Sequence, residues 1–324
     1  MARLLGVGLV GAVLLASVAA YGADVTVNGY VQYQFSVKEG ADPSSNFSLA
    51  AARLKGSMKV TDKISAMVQL EGAKSPSLLE ADVTYAYAPF LNLKLGQFQV
   101  PFGYETQNSN FDVEAGDRSQ IVTALWVNNS AAGYFRDQGA MVYGRHKVLV
   151  YQLACVNGSG LNTSDNNNHK DFVGRIGLGI PMFAGLGFSM LQGKGGPEDT
   201  LQDRTGMGFD IFLDTGKVLL EAEYISAQGV NGDNVDKIWT GSETEFGGYY
   251  VILGYRITPL IEPVFKYDKY DPDKDVDDDE VSAMYLGLNL NFEGKARLQA
   301  FYTAYDEDED IDNNKFTVIA KAKF

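Results

Sequence analysis

Two histidines, one cysteine and 41 side-chain carboxylates are the groups in this 324-residue chain with the types to do covalent, acid–base or metal chemistry. A hydrolase of the Ser–His kind needs a base held beside a nucleophile by a rigid element. His146 falls in a short turn and His169 in a long polar loop, so neither is on a strand that could aim it, and no catalysis is expected. Cys155 alternates with Leu149, Tyr151 and Leu153 on an apolar face; it reads as a small hydrophobe, and alone it can close no intramolecular disulfide. The acidic runs 271–280 and 306–314 offer oxygen ligands suited to Ca²⁺ or Mg²⁺, but they lack the turn glycine of an EF-hand loop and read first as solvated charge. No cofactor is expected.

Charge narrows the classes further. Lys and Arg number 27 against 41 Asp and Glu, a net −14, and a chain so acidic repels phosphate backbones, which excludes a general nucleic-acid binder. The one long apolar run, Leu4 to Ala20, follows Arg3 and precedes the small residues Ala19, Ala20, Gly22 and Ala23. That is the layout of a secretory signal, and the run is shorter than the ~20 residues of a membrane-spanning helix. Cleavage is expected near Gly22, giving a signal peptide at 1–22 and a mature domain at 23–324. Export removes one basic residue and no acidic one, so the mature chain is more acidic still.

The elements that must position any remaining chemistry are strands. In the stretch 24–37, Val25, Val27, Val31, Tyr33, Phe35 and Val37 alternate with polar residues, and in 52–60 Ala52, Leu54, Gly56, Met58 and Val60 alternate with Arg53, Lys55, Ser57 and Lys59. This period of two marks strands with one apolar and one wet face. Sixteen such segments succeed one another from residue 24 to 324, joined alternately by short turns (61–63, 89–90, 145–147, 214–217, 258–259, 293–295) and by longer polar loops. An exported chain without a helical span satisfies its backbone in lipid only as a closed barrel, and turns short at one rim and long at the other are the layout of a bacterial outer-membrane barrel. The expected fold is therefore all-β, a sixteen-stranded antiparallel transmembrane barrel. Tyr85, Tyr87, Tyr249, Tyr255, Phe265 and Tyr267 near segment ends suit an aromatic girdle. Phe324, closing the alternating run of Phe316, Val318, Ala320 and Ala322, reads as the terminal aromatic by which such barrels are recognised for insertion.

The segment Leu-Gly-Gln-Phe-Gln-Val-Pro-Phe-Gly-Tyr-Glu at 95–105 resembles the phosphate-selective porin O and P family, and four later stretches agree in order and spacing: 136–139, 156–158, 248–255 and 262–268. The resemblance implies a sixteen-stranded trimeric porin whose third loop folds into the lumen. Sixteen strands also leave a water-filled bore on physical grounds. One departure bears on the substrate. A desolvated phosphate needs several charge-assisted donors, yet the third loop, 100–136, has no lysine and only Arg118 and Arg136, alongside Glu105, Asp112, Glu114 and Asp117.

The expectation is thus an outer-membrane porin passing small hydrophilic solutes and ions with weak selectivity, the alternative being a channel for phosphate or another oxyanion. Alternation points Arg53, Lys55 and Lys59 of the second strand and Lys315, Lys321 and Lys323 of the last into the lumen, with the first strand between them, as a basic stripe. The carboxylates of the third loop are expected to face that stripe across a narrow aqueous gap, with Lys94 and Lys266 also lining the pore. The expected partners are outer-membrane lipid, lipopolysaccharide (which the acidic loops could meet through shared divalent ions) and two further copies of the chain. Small outward residues on strands 1 to 4 and 16, such as Ala52, Ala66, Ala81 and Ala320, place the trimer contact there, because small side chains let walls approach.

Overall fold

The computed structural model describes residues 24–73, 76–125, 135–180, 183–196, 198–229, 244–307 and 312–324; the export segment expected at 1–22 lies outside them. Sixteen strands follow in chain order: β1 (Asp24–Lys38), β2 (Ser45–Lys59), β3 (Ile64–Glu71), β4 (Ser77–Ala88), β5 (Leu91–Gln99), β6 (Arg136–His146), β7 (Leu149–Val156), β8 (Asp171–Ile180), β9 (Ala184–Gly195), β10 (Gln202–Asp214), β11 (Val218–Gln228), β12 (Glu245–Tyr255), β13 (Ile261–Asp271), β14 (Val281–Phe292), β15 (Ala296–Glu307) and β16 (Lys315–Lys323). Each pairs antiparallel with its sequence neighbours, and β1 pairs with β16 to close the barrel. The seam extends past β16, because the Gly29 N–H donates to the Phe324 carbonyl at 3.1 Å and the Phe324 N–H returns to the Gly29 carbonyl at 3.0 Å. Closure leaves no strand edge unpaired in lipid.

The alternation expected from sequence is visible in β11, where Leu219, Ile225 and Ala227 are buried inside while Val218 and Tyr224 are exposed outside. Met190, Met207, Phe209, Leu253, Met284 and Leu286 are likewise exposed on the outer surface, as a lipid-facing belt requires. The short turns have local causes. At 293–294 both residues take positive φ (50° and 67°), in a tight turn closed by the Lys295 N–H on the Phe292 carbonyl at 2.9 Å, and Gly294 adopts that backbone without strain.

Three irregularities interrupt the period. The register shifts between Gln32 and Tyr33 opposite β2, between Gln69 and Leu70 opposite β4, and between Ala86 and Ala88. Each inserts one extra residue (Ala50, Leu79 and Tyr87), which is why a strict period of two does not run the length of β2 or β4.

The interior also departs from the expected wet face. Inward positions on β7 to β15 carry Val156, Val173, Leu191, Ile225, Phe246, Ile252, Val264 and Phe301, all buried in one apolar cluster. What covers them is the connection between β5 and β6.

Candidate functional site

That connection, the third loop, leaves β5 through Val100-Pro101-Phe102-Gly103 and crosses the barrel. The Phe102 N–H bonds back to the Val100 carbonyl at 2.9 Å, and Gly103 takes φ 75° at the corner. On the far wall the Gly103 N–H donates to Ser189 Oγ of β9 at 3.0 Å. Glu223 of β11 accepts the N–H groups of Tyr104 and Glu105 at 2.7 and 3.1 Å. A carboxylate taking two backbone donors fixes where the loop lands. Glu105 in turn accepts the Ser119 N–H at 3.0 Å, and Arg118 donates to the carbonyls of Glu105 and Asn108, so the loop is closed upon itself.

Between these points the loop runs along β16, β15, β14 and β13. Lys321 donates to the carbonyls of Asn110 and Val113 at 2.9 and 3.0 Å, and Gln299 and Asn289 each reach the Glu114 carbonyl at 3.0 Å. Arg297 pairs with Glu114 at 2.6 Å and Lys315 with Asp117 at 2.5 Å. Burial pushes the Glu114 carboxyl above its ordinary value against the pull of Arg297. Lys266 donates to the Asp117 carbonyl at 3.2 Å, pairs with Asp268 at 3.3 Å and lies 4.5 Å from the Tyr285 ring centre. The loop carries helix α1 (Gln120–Leu125), whose first N–H donates to Asp268 at 2.8 Å. Ile121, Val122, Ala124 and Leu125 of α1 join the interior cluster, and this is the physical reason that the strands behind them are apolar on both faces.

The expected pore-lining groups therefore divide. Lys266 is fully buried, and Lys321, Arg53, Arg136 and Glu105 are each at most 5% exposed. These five hold wall or loop rather than facing open lumen, which corrects the expectation. Arg53 pairs with Glu71 at 3.0 Å and Arg136 with Glu80 at 2.6 Å. Nor does a gap separate the basic stripe from the acidic loop. β1 does lie between β2 and β16, but Glu114 and Asp117 touch their cations. The geometry closes because the apolar face of α1 draws the loop onto the wall, bringing opposite charges into contact. Phe111 packs on Tyr30 at 6.0 Å, with the Lys323 ammonium 4.4 Å above its ring. Asp112 is exposed and accepts from Ser109 at 2.7 Å; Lys59 is exposed and pairs with Asp62 at 2.8 Å.

Half-exposed polar side chains remain along the other arc. Lys55 lies opposite Gln69 on β2 and β3, Lys94 stands on β5, and Gln152 lies between Tyr143 of β6 and Arg175 of β8. Lys94 pairs with Asp82 at 3.4 Å, and Arg175 makes a two-point pair with Asp210 of β10. The sequence reading omitted Glu223, Ser189, Arg297, Asp268 and Gln299, which seat the loop. Their signal was present as polar residues at inward positions of otherwise apolar strands. Among the described residues no group of three or more His, Cys, Asp or Glu side chains is arranged to hold a metal ion.

The sequence profile of the family described as phosphate-selective porin O and P matches residues 25–206, more than half of the chain. The chain belongs to the porin O and P family. It is an outer-membrane β-barrel porin, and its sixteen strands agree with solved porin structures. The anion-selective porin from Comamonas acidovorans superposes with TM-score 0.71 at 13% identity, over 93% of this chain and 100% of that one. The outer-membrane channel DcaP of Acinetobacter baumannii gives 0.67 at 15%, over 93% and 97%. Salmonella typhi OmpF, solved with daunomycin, gives 0.67 at 11%, over 94% and 98%. At such identities the likeness is one of fold. A comparison with curated protein sequences finds no match.

Proposed function

We propose that this porin passes small hydrophilic solutes and ions down their gradients with weak selectivity and without catalysis. The observation that supports this reading is charge pairing. Arg53, Arg136, Arg175, Lys94, Lys266, Arg297 and Lys315 each have a carboxylate partner, and Lys321 is bound to loop carbonyls. A dehydrated phosphate would have to compete with these partners for its donors. The mouth is acidic: Asp275, Asp277, Asp278 and Glu280 between β13 and β14 are exposed. Cations are then enriched at low salt, a preference that fades once the screening length falls below ~10 Å above 0.1 M.

The same proposal includes a homotrimer joined through the small outward residues of β1 to β4 and β16, cleavage near Gly22, insertion guided by Phe324 and contact with lipopolysaccharide at the acidic rim. Reversal potentials in planar bilayers under KCl gradients test its core. The expected result is a weak cation preference below 0.1 M that decays with salt. Strong anion selectivity, with current blocked by micromolar phosphate, would overturn it and restore the oxyanion channel that the family description suggests.

A further inference from the structure

Along the half of β8 and β9 next to their short connection, glycines leave the inner wall without side chains. Gly177 pairs with Gly187 and Gly179 with Gly185, while the intervening Leu178 and Leu186 are exposed on the outer surface. In front of this bare backbone lies a cavity of about 370 Å³, within the size range of small-molecule sites. Arg145 of β6, Gln152 of β7, Arg175 of β8, Asp210 and Phe212 of β10 and Tyr104 of the third loop contribute to its lining.

The polar groups of the cavity are not equivalent. Arg175 is committed to Asp210 through both terminal nitrogens, the second at 2.8 Å, and also meets Ser189 at 3.2 Å. This ion pair passes over Gly187, where a Cβ would come within 2.3 Å of Asp210 and 2.4 Å of Arg175; glycine there is the condition for the pair to form. Arg145 donates one nitrogen to the Gly179 carbonyl at 3.1 Å, and among the described residues no carboxylate pairs with it. The cavity thus carries one uncompensated positive charge beside a neutralised pair. The apolar part is flat: the rings of Tyr104 and Phe212 stack at 5.6 Å and 25°, facing a glycine floor. A guanidinium with free donors, an amide, an aromatic pair and a planar backbone surface suit a planar apolar body bearing one carboxylate.

We propose that this cavity is a binding subsite for aromatic monocarboxylates on their way through the barrel. Arg145 and Gln152 hold the carboxylate while the ring lies between the glycine floor and Tyr104–Phe212. The transit role rests on the channel reading above; the binding itself does not.

Benzoate is the probe, with acetate (charge without ring) and benzyl alcohol (ring without charge) as controls. Current through the mature, folded porin in KCl is recorded as each is added, and calorimetry of benzoate on the same protein in detergent measures binding without conduction. Two variants test the parts. Arg145→Gln removes the charge. Gly185→Leu fills the floor, where a Cβ meets only ordinary contact with the Leu178 carbonyl at 3.6 Å, so the barrel should tolerate it. Benzoate should reduce the current and bind more tightly than either control, and each variant should weaken it about tenfold, the scale of one charge-assisted hydrogen bond, while KCl conductance persists. Equal effects of benzoate and acetate, or unchanged benzoate affinity in both variants, would overturn the site. Absence of KCl conductance with benzoate binding intact would instead overturn the channel reading and leave the site standing.

Discussion

Lys266 and Lys94 both point into the barrel, and both have an aspartate nearby, yet their surroundings make them different devices. Lys266, on β13, is fully enclosed by Asp268, the Asp117 carbonyl and the rings of Tyr250 and Tyr285. Lys94, on β5, keeps 18% of its side chain in solvent beside Asp82, whose own side chain is buried. The first belongs to the wall that the third loop covers, the second to a stretch from β2 to β8 where Lys55, Gln69, Lys94, Gln152 and Arg175 stay partly exposed beside the buried Arg53 and Arg136. One wall of the barrel thus serves as the core of a packed loop and the other keeps several of its polar side chains partly in solvent. A buried pair is costly to break because it strands a charge, whereas a hydrated pair contributes little.

The largest expected effect is on the covered arc. Lys266→Met leaves Asp268 enclosed with no cation beside it, and should lower the unfolding free energy by about 3–5 kcal/mol, read as a shift in the urea midpoint of the detergent-folded barrel. A shift of less than about 1 kcal/mol would show that water reaches Asp268 as it does an exposed pair, and the distinction between the arcs would fail. Next comes selectivity. Glu114→Gln together with Asp117→Asn keeps the loop's shape but leaves Arg297 and Lys315 without carboxylate partners. The cation-to-anion permeability ratio should fall by up to about fivefold, the factor that about 1 kcal/mol supplies, in the same bilayer reversal-potential measurement. The smallest effect belongs to the wet arc. Lys94→Gln keeps a polar donor beside the buried Asp82 and should lower the unfolding free energy, read from the urea midpoint, by less than Lys266→Met does, and an equal loss would show that the two arcs are built alike.

Much of the barrel was legible in the chain. Strand identities followed from residues such as Val218, Leu220 and Ala222, whose outward alternation has no alternative partner but lipid, and the strand ends flanking the six short turns fall within two residues of the expected ones. The bulges at Ala50, Leu79 and Tyr87 were not legible, because an extra residue in a strand changes which face follows without changing composition. The site was less legible than the fold. Glu114 and Asp117 stand out as loop carboxylates, but nothing local says that they touch Arg297 and Lys315, some 180 to 200 residues later. Ile225 and Ile252 look like strand residues facing lipid, and only the presence of α1 inside the barrel explains why they face inward.

What the sequence determined by itself is whatever depends on period and order: sixteen two-faced segments, turns of alternating length, an acidic exported chain, and a Pro-Phe-Gly corner opening the third loop. Those features are local, since each strand's pleat and each turn's φ are set by a few adjacent residues. What the tertiary structure alone decided is where the third loop lies and, through it, which charges are spent. Glu223, Lys321, Arg297 and Asp268 come from four different strands and meet the loop only after closure has brought the far wall opposite β5. Whether a cation in the bore is buried in a contact, as Lys266 is, or open to a passing solute, as Arg145 is, depends on that long-range meeting and on the desolvation it imposes.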